Sequence, residues 1–263
     1  MPIKRRSACA VCDGIRLDAA VDLPGLPLTA LYCRQKPRKP LRGIDQQLLI
    51  CRDCGHAQTA AQIDPAALYD NHYGFRTSAS VTAQRGTDFF IRFLEELSSA
   101  QRFRCSVDIG CNDLYLLKCL KGRANELVGI DPIWKFQRMT REAADIKVIG
   151  ATIEEIDLPK ALGAAPDLIL CRHTLEHIFD PKAALRRLAA VASENALFVF
   201  EVPGFDALVR NYRFDHIFHQ HLQYFNLSTF ARLLHETGFE SIGARENYHD
   251  WGTLLVAFKK KGE

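Results

Sequence analysis

The 263-residue sequence has no long hydrophobic run. A helix that crosses a bilayer needs roughly 20 consecutive, mainly apolar residues, and no segment approaches that length. The first residues, MPIKRRSACAVC, also lack the apolar core of a secretory signal peptide. These absences favour a cytoplasmic protein that does not use a membrane as a partner.

The sequence also lacks an extended stripe of positive charge. Its net charge is +3, and residues 1–54 contain ten Lys/Arg against five Asp/Glu. Part of this excess lies in the Pro-rich segment CRQKPRKPLRG, residues 33–43. We interpret the segment as a solvated loop or as a contact for substrate phosphates. A nucleic-acid partner is not expected, because the basic region does not extend further.

The composition is that of an ordinary folded protein, with 48% hydrophobic and 25% charged residues. This length allows one large domain, or a large domain with a small appendage. The cysteines indicate the second arrangement. Two C-x-x-C pairs near the N-terminus can present four thiolates to a tetrahedral Zn²⁺ ion, and a redox dithiol would need only one pair. The ligands would be Cys9, Cys12, Cys51 and Cys54.

Four cysteine ligands leave no open coordination position, so the predicted zinc is structural and defines a small domain over residues 1–66. His56 follows the second pair, and we expect it to be a surface residue and not a ligand. Isolated cysteines in a reducing compartment are typically small buried hydrophobes. We expect this of Cys33, Cys105, Cys111, Cys119 and Cys171.

The remaining residues, 67–263, form the larger predicted domain, which begins with a helical connector. From residue 104 the chain alternates strand-like and helix-like segments. Buried strands are predicted at CSVDIG, ELVGID, KVIG, PDLILC, NALFVFEV, FESIGA and TLLVAFKK, and helices at DLYLLKCLKG, PKAALRRLAAVAS and STFARLLHETG. This order predicts an α/β fold with a mainly parallel, doubly wound sheet. Ligands of such sheets bind at the carboxyl ends of the strands, where the strand order reverses.

At this expected position the chain lacks the G-x-G-x-x-G signature of a dinucleotide site, because VDIGCNDLYLL offers only Gly110. A turn at Gly110 still lets a small molecule approach the backbone. Asp131 ends the next strand in VGIDP, where a carboxylate can bind both ribose hydroxyls. It is otherwise an ordinary turn residue before Pro132. Ribose recognition without a phosphate cradle points to S-adenosylmethionine (SAM).

The chain resembles the bacterial SAM-dependent methyltransferases that modify nucleotide-linked sugars, best known from the C-methyltransferases of deoxysugar pathways. The resemblance runs from Cys9 to about Phe258. It is carried by the two C-x-x-C pairs and by YGFRTSAS, VDIGCNDLYLL, GIDP, CRHTLEHIFDP, FEVPGF, FHQHLQYF and HDWGTLL. It implies a class I, Rossmann-like methyltransferase fold behind an N-terminal zinc domain. It also implies a sugar or nucleotide-sugar acceptor.

The resemblance assigns roles to individual residues. His221 matches the general base of the family, and an unperturbed imidazole pKa near 6.5 suits proton removal at neutral pH. His219 and His173 are the other expected catalytic residues, with His173 facing the acceptor. The string H-x-x-E-H also resembles an inverted zinc-protease signature, but that alternative lacks a third ligand. Cofactor contacts are expected from Asp108, Gly110, Asn112, Asp113, Asp131, Pro132, Arg172 and His173.

The departures from the family bear on the reaction. Leu114 stands where the cofactor loop of the family has glycine, which predicts a shifted loop. Phe218 and Gln220 replace the tyrosine and glutamate of the Y-H-E-H motif, which help manage an enolate. A hydroxyl acceptor needs only one base and a positioned methyl donor, so oxygen methylation is favoured over carbon methylation. The alternatives are an enolate C-methyltransferase and a non-catalytic zinc-ordered partner protein.

Overall fold

A computed structural model describes residues 3–28, 43–63, 74–98, 101–135 and 144–262. Most of the basic segment, Cys33 and the expected domain boundary at residues 66 and 67 lie outside these ranges. Within the described part of the chain, no helix has both the length and the apolar character that a membrane span requires.

Thirteen strands and six α-helices are present in the described residues. The strands are β1 Ile3–Arg5, β2 Leu17–Leu26, β3 Ile44–Cys51, β4 Ala57–Thr59, β5 Ala61–Ile63, β6 Phe103–Ile109, β7 Ala124–Ile130, β8 Ile146–Ile149, β9 Leu168–Arg172, β10 Leu197–Pro203, β11 Gln223–Tyr224, β12 Phe239–Asn247 and β13 Thr253–Lys260. The helices are α1 Val81–Ser98, α2 Tyr115–Cys119, α3 Leu158–Leu162, α4 Pro181–Val191, α5 Phe205–Arg210 and α6 Leu227–Glu236.

The larger sheet has seven strands in the order β12-β13-β10-β9-β6-β7-β8. Strands β8, β7, β6, β9 and β10 are mutually parallel, and β13 is antiparallel to both β10 and β12. The predicted α/β, mainly parallel, Rossmann-like fold is therefore confirmed. The chain runs outward from β6 to β8 and then returns to β9 beside β6. This reversal places the open strand ends of β6 and β9 next to each other.

The central strands are apolar because both faces of the sheet are covered. Val107, Ile169 and Val199 of β6, β9 and β10 are completely buried, as are Phe90 and Leu94 on the inner face of α1. Such continuous burial explains why short apolar runs in the sequence predict these strands without an alternating pattern.

A second sheet, in the order β11-β4-β3-β2, is built mainly from the N-terminal residues. Its edge strand β11 comes from the far end of the sequence, where Gln223 lies opposite Gln58 and Tyr224 opposite Ala57. The histidine-rich segment before β11 is therefore anchored on the N-terminal sheet. The sequence pattern indicates a strand or loop here but does not identify this pairing.

Two local predictions differ from the structure. The segment DLYLLKCLKG forms only the five-residue helix α2, which is followed by a turn at Gly122 with φ of +83°. Cys119, the last residue of α2, is exposed, so the prediction that it is buried is wrong. The same prediction is confirmed for Cys105, Cys111 and Cys171.

Candidate functional site

A cleft of about 1180 Å³ opens at the carboxyl ends of β6, β7, β9 and β10. This is the end of the sheet at which parallel α/β folds bind their ligands. One part is lined by the turn after β6, and the other by the segment that precedes β11. The lining includes Asp108, Gly110, Asn112, Asp131, Pro132, Arg172, His173, Glu176, His177, His216, Phe218, His221 and Trp251.

The turn after β6 requires glycine at position 110. Gly110 has φ of +78°, in the left-handed region that side chains disfavour. A Cβ atom built there would lie 1.9 Å from Oγ1 of Thr174. Both the backbone conformation and the close approach of the β9 turn therefore exclude a side chain, and the backbone forms this part of the cleft wall.

Asp131 holds this turn in place. Its Oδ2 accepts a hydrogen bond of 2.9 Å from the backbone N–H of Asn112, and its Oδ1 accepts one of 3.0 Å from the N–H of Ile133. Each carboxylate oxygen can accept a further hydrogen bond. Asp131 also lines the cleft at the end of β7, so its carboxylate lies next to the space that a ligand would occupy.

Asn112 and Asp113 connect the same turn to the segment before α1. Asn112 Oδ1 accepts a hydrogen bond from the N–H of Thr77 at 3.1 Å, and Asp113 Oδ2 accepts one from the N–H of Ser78 at 2.9 Å. Their side chains thus fix a cleft wall to which Phe75 also contributes. The structure gives Asp113 this role in the loop, outside the cleft lining.

Leu114 does not obstruct the cleft. It adopts φ of +67°, which explains why glycine suits this position, and its side chain is 1% exposed in the core beneath the turn. The left-handed conformation costs a leucine roughly 1–2 kcal/mol, and burial of the side chain offsets that cost.

Asp108 and Arg172 lie deeper. Desolvation by burial raises the pKa of Asp108 to about 8, against an opposing contribution from the positive charge of Arg172. The Arg172 guanidinium forms a buried ion pair with Glu201 and donates a hydrogen bond to Oγ1 of Thr87 at 2.7 Å. Arg172 therefore connects β9, β10 and α1. The part of its side chain that is left uncovered by these contacts lines the cleft.

The end of the cleft beside the segment that precedes β11 contains a buried carboxylate surrounded by imidazoles. Glu176 is 1% exposed, and its Oε1 lies 3.7 Å from Nδ1 of His173, 3.7 Å from Nε2 of His177 and 4.0 Å from Nε2 of His221. These distances exceed those of hydrogen bonds. His173 has φ of +47° and packs edge-on against Trp251, with ring centroids 5.9 Å apart.

His221 is buried beside Phe218, with ring centroids 4.1 Å apart. Desolvation by burial, followed by the repulsion of a positive charge by neighbouring imidazoles, holds the pKa of His221 well below its ordinary value. The sequence-based expectation of titration near 6.5 therefore does not describe this environment. His221 is neutral at physiological pH, so its ring carries a free lone pair.

His219 does not join this cluster. It is 1% exposed, and its Nε2 is 3.1 Å from the carbonyl oxygen of Ile44 at the start of β3. His216 and His177 do line the cleft, although neither is among the site residues expected from the sequence. Their spacing in the sequence could have indicated them. His216 lies in the same short segment as His221, HIFHQH, and His177 directly follows Glu176 in HTLEH.

The four predicted zinc ligands converge in the N-terminal region. Sγ of Cys9 lies 3.6 Å from Sγ of Cys54, Sγ of Cys12 lies 3.6 Å from Sγ of Cys51, and all four sulfur atoms are within 4.8 Å of one another. A zinc tetrahedron with Zn–S bonds of about 2.3 Å has edges of about 3.8 Å. The donor set and its spacing fit that ion.

His56 is not a surface residue, so that prediction is wrong. It is completely buried, its Nε2 is 3.0 Å from Oε1 of Gln223, and desolvation lowers its pKa to about 4. Its ring packs against Phe225 with centroids 4.9 Å apart. The turn that carries Cys51 and Cys54 is thus connected to β11 by a buried side-chain contact.

Comparison with known proteins agrees with the fold. The "Methyltransferase domain" family matches residues 82–243, more than half of the chain. A C-methyltransferase, NovU of Streptomyces niveus, is 25% identical over 210 residues, which are 80% of this chain and 50% of NovU. The chain therefore spans about half the length of this relative.

Solved structures show the same fold at low sequence identity. The N-methyltransferase NodS of Bradyrhizobium japonicum WM9, in complex with S-adenosyl-L-homocysteine (SAH), has a TM-score of 0.51 at 14% identity and covers 70% of this chain and 89% of its own. A complex of the Haloferax volcanii Trm112 methyltransferase activator with a methyltransferase contains a chain with a TM-score of 0.53 at 10% identity, covering 69% and 96%. With the family match over residues 82–243, this protein belongs to the class I SAM-dependent methyltransferases.

Proposed function

We propose that this methyltransferase transfers the methyl group of SAM to a hydroxyl of a sugar or nucleotide-linked sugar, with His221 as general base. The observation that carries the proposal is the neutral, buried imidazole of His221 in the acceptor part of the cleft, beside Phe218 and Gln220. Phe218 and Gln220 supply neither a phenol nor a carboxylate to this base, which suits a hydroxyl better than a carbon acid.

The residues at the other end of the cleft are suited to the cofactor. Asp131 would accept hydrogen bonds from the ribose hydroxyls, and the backbone at Gly110 would approach the methionine end, with Asn112 supporting the turn between them. Pro132 and the exposed surface of Arg172 border the same space. Asp108 supports the cofactor wall from below. SAM supplies the methyl group as an electrophile on a sulfonium.

The acceptor would lie between this wall and the histidine cluster. Trp251 offers an aromatic face there, with Phe75 at 6.2 Å and His173 at 5.9 Å between ring centroids. Such faces pack against sugar rings and nucleobases while polar groups fix orientation. The acceptor oxygen forms a bond to the methyl carbon as the carbon–sulfur bond breaks, and its proton passes to Nε2 of His221. The sulfur retains the electron pair and SAH is released.

Glu176 would stabilise the imidazolium formed on His221. Its carboxylate is 4.0 Å from Nε2 of His221 and is buried, so their attraction is weakly screened. This matters because the lowered pKa of His221 makes the charged ring unfavourable unless a negative charge is near. His173, on the other side of Glu176, would face the acceptor.

We also propose that Cys9, Cys12, Cys51 and Cys54 hold a structural Zn²⁺ ion in a small N-terminal domain over residues 1–66, joined to a methyltransferase domain over residues 67–263. The convergence of the four sulfur atoms supports the ion. With four thiolate ligands the ion has no free coordination position, so its effect is on folding.

The choice between oxygen and carbon is tested by running the reaction in D₂O. Acceptors are first identified by screening nucleoside-diphosphate sugars and free sugars for SAH release. Methylation of a hydroxyl should leave every carbon-bound proton of the acceptor in place. Deuterium at a carbon beside a carbonyl, or a product with a new carbon–carbon bond, would instead establish the enolate route of a C-methyltransferase and exclude oxygen methylation.

Asp131→Asn tests the cofactor assignment. The amide keeps the shape of the side chain but removes its charge and one acceptor, so SAM binding should weaken by about 1.5–3 kcal/mol, or roughly tenfold to a hundredfold. Isothermal titration calorimetry with SAM measures the change. Asp145→Asn is the matched control, because Asp145 is exposed and pairs with Lys121. Equal SAM affinity in Asp131→Asn and Asp145→Asn would show that the ribose is bound elsewhere.

A further inference from the structure

The Glu176 carboxylate is buried without an adequate partner. It is 1% exposed, and neither Oε1 nor Oε2 has a hydrogen-bond partner among the described residues. An ionised carboxylate in such a position is strongly unfavourable unless a cation or several donors reach it. Glu176 lines this part of the cleft, so a bound cation there would lie next to its carboxylate.

The imidazole of His177 is oriented as a ligand toward this carboxylate. Its Nδ1 lies 2.8 Å from the carbonyl oxygen of Gln220, and since a carbonyl only accepts, Nδ1 carries the hydrogen. In the neutral ring, Nε2 then presents a lone pair to Glu176 Oε1 at 3.7 Å. The Nε2 lone pair of His177 therefore faces the carboxylate of Glu176, while the carbonyl oxygen of Gln220 fixes the orientation of the ring. Metal-binding histidines are typically held in this way.

His221 completes the set, with its ring centroid 4.9 Å from that of His177. Its Nε2 faces the same oxygen at 4.0 Å, and the ring has a hydrogen bond with the backbone of His216. The ligand atoms of Glu176, His177 and His221 all lie within 4.8 Å of one another. Small rotations of these three side chains would place each ligand atom at roughly 2.0–2.2 Å from a shared transition-metal ion, the usual length of a metal–nitrogen or metal–oxygen bond.

We propose that Glu176, His177 and His221 form a second metal site, which binds a divalent first-row transition-metal ion in the acceptor cleft. Two imidazole nitrogens and one carboxylate oxygen suit Zn²⁺, Ni²⁺ or Co²⁺. Mg²⁺ and Ca²⁺ prefer all-oxygen sites, so they should not compete. The site shares no ligand with the four-cysteine cluster.

Metal binding at this site would compete with catalysis. This consequence rests on the proposed function, because the ion would occupy the lone pair of His221 Nε2 that accepts the acceptor proton. A transition-metal ion would then inhibit methyl transfer, and a chelator that leaves the cysteine-bound zinc in place would restore it.

Titration of the zinc-loaded full chain with Ni²⁺ tests the site without an acceptor. Calorimetry should show one Ni²⁺ ion per chain while elemental analysis shows that the zinc content is unchanged. Glu176→Gln, which keeps the side-chain volume, should weaken Ni²⁺ binding at least about tenfold. His235→Gln should bind Ni²⁺ like the wild type, because His235 is an exposed histidine on α6.

Two further measurements make the result specific. Co²⁺ at this site should give the ligand-field absorption of nitrogen and oxygen coordination, without the thiolate charge-transfer bands that replacement at the cysteines would produce. Glu176→Gln should keep its affinity for SAM, which depends on the other end of the cleft. Unchanged SAM affinity would show that the variant is folded. Absence of Ni²⁺ binding, or equal affinity in wild type and Glu176→Gln, would overturn the site.

The activity measurement is independent of the binding measurement. Ni²⁺ at concentrations that fill the site should inhibit wild-type turnover, with reversal by chelation. Activation by Ni²⁺ would overturn the competition and also the assignment of His221 as base. A protein that binds Ni²⁺ but shows no hydroxyl methylation would retain the metal site while contradicting the proposed function.

Discussion

Replacement of His221 by alanine is expected to lower the turnover number by about 10²- to 10⁴-fold, the usual contribution of a general base. The imidazole is the proton acceptor of the proposed reaction and lies in the acceptor part of the cleft. The dissociation constant of SAM should change little, because Asp131 and the Gly110 turn lie at the other end. Turnover is measured as SAH release, and SAM binding by calorimetry.

The matched control is His219→Ala, two residues earlier in the same segment. His219 is directed toward the carbonyl oxygen of Ile44, so its loss should affect the stability of the segment more than the chemistry. We therefore expect a smaller decrease in turnover and a lower melting temperature. Full activity in His221→Ala would remove the base assignment, and equal losses in both variants would indicate that His221 acts only through the structure of the segment.

The strands and the cofactor turn follow from local sequence because their causes are local. The runs around Val107, Ile169 and Val199 are apolar throughout because both sheet faces are covered. Gly110 marks a turn at which a Cβ would collide with Thr174. Asp131 ends its strand beside that turn in the α/β order. Each of these features depends on residues that are close in sequence or on a recurring chain topology.

The features that the sequence did not predict depend on contacts between distant segments. β11 has only two residues, and it is a strand because β4 lies beside it, more than 160 positions earlier. His56 appears polar and exposed in a local window, yet Gln223 and Phe225 bury it. The tautomer of His177 is defined by the carbonyl oxygen of Gln220, 43 positions later in the chain. No periodicity or spacing rule contains this information.

The long-range connection between the N-terminal sheet and the histidine segment would give the proposed zinc ligands an indirect role in the proposed reaction. The hairpin with Cys51 and Cys54 leads into β4, which pairs with β11. Thr59 at the end of β4 donates a hydrogen bond from Oγ1 to the carbonyl oxygen of His221 at 3.2 Å, and its N–H donates to the carbonyl oxygen of Leu222 at 3.1 Å. Order in this hairpin therefore fixes the backbone that carries the proposed base.

Cys51→Ser should accordingly abolish zinc binding. It should also lower turnover at least as much as loss of the general base itself, by about 10²- to 10⁴-fold. The apparent free energy of structural zinc binding, about 10–16 kcal/mol in zinc-finger peptides, exceeds what a small sheet can replace, so the N-terminal sheet should unfold. Elemental analysis, hydrogen exchange over residues 44–63 and SAM calorimetry measure the effect, with SAM affinity much less changed than turnover. Cys119→Ser is the control, because Cys119 is exposed and outside the cluster. A zinc-free Cys51→Ser protein with native exchange protection and normal turnover would contradict both the structural zinc and its connection to His221.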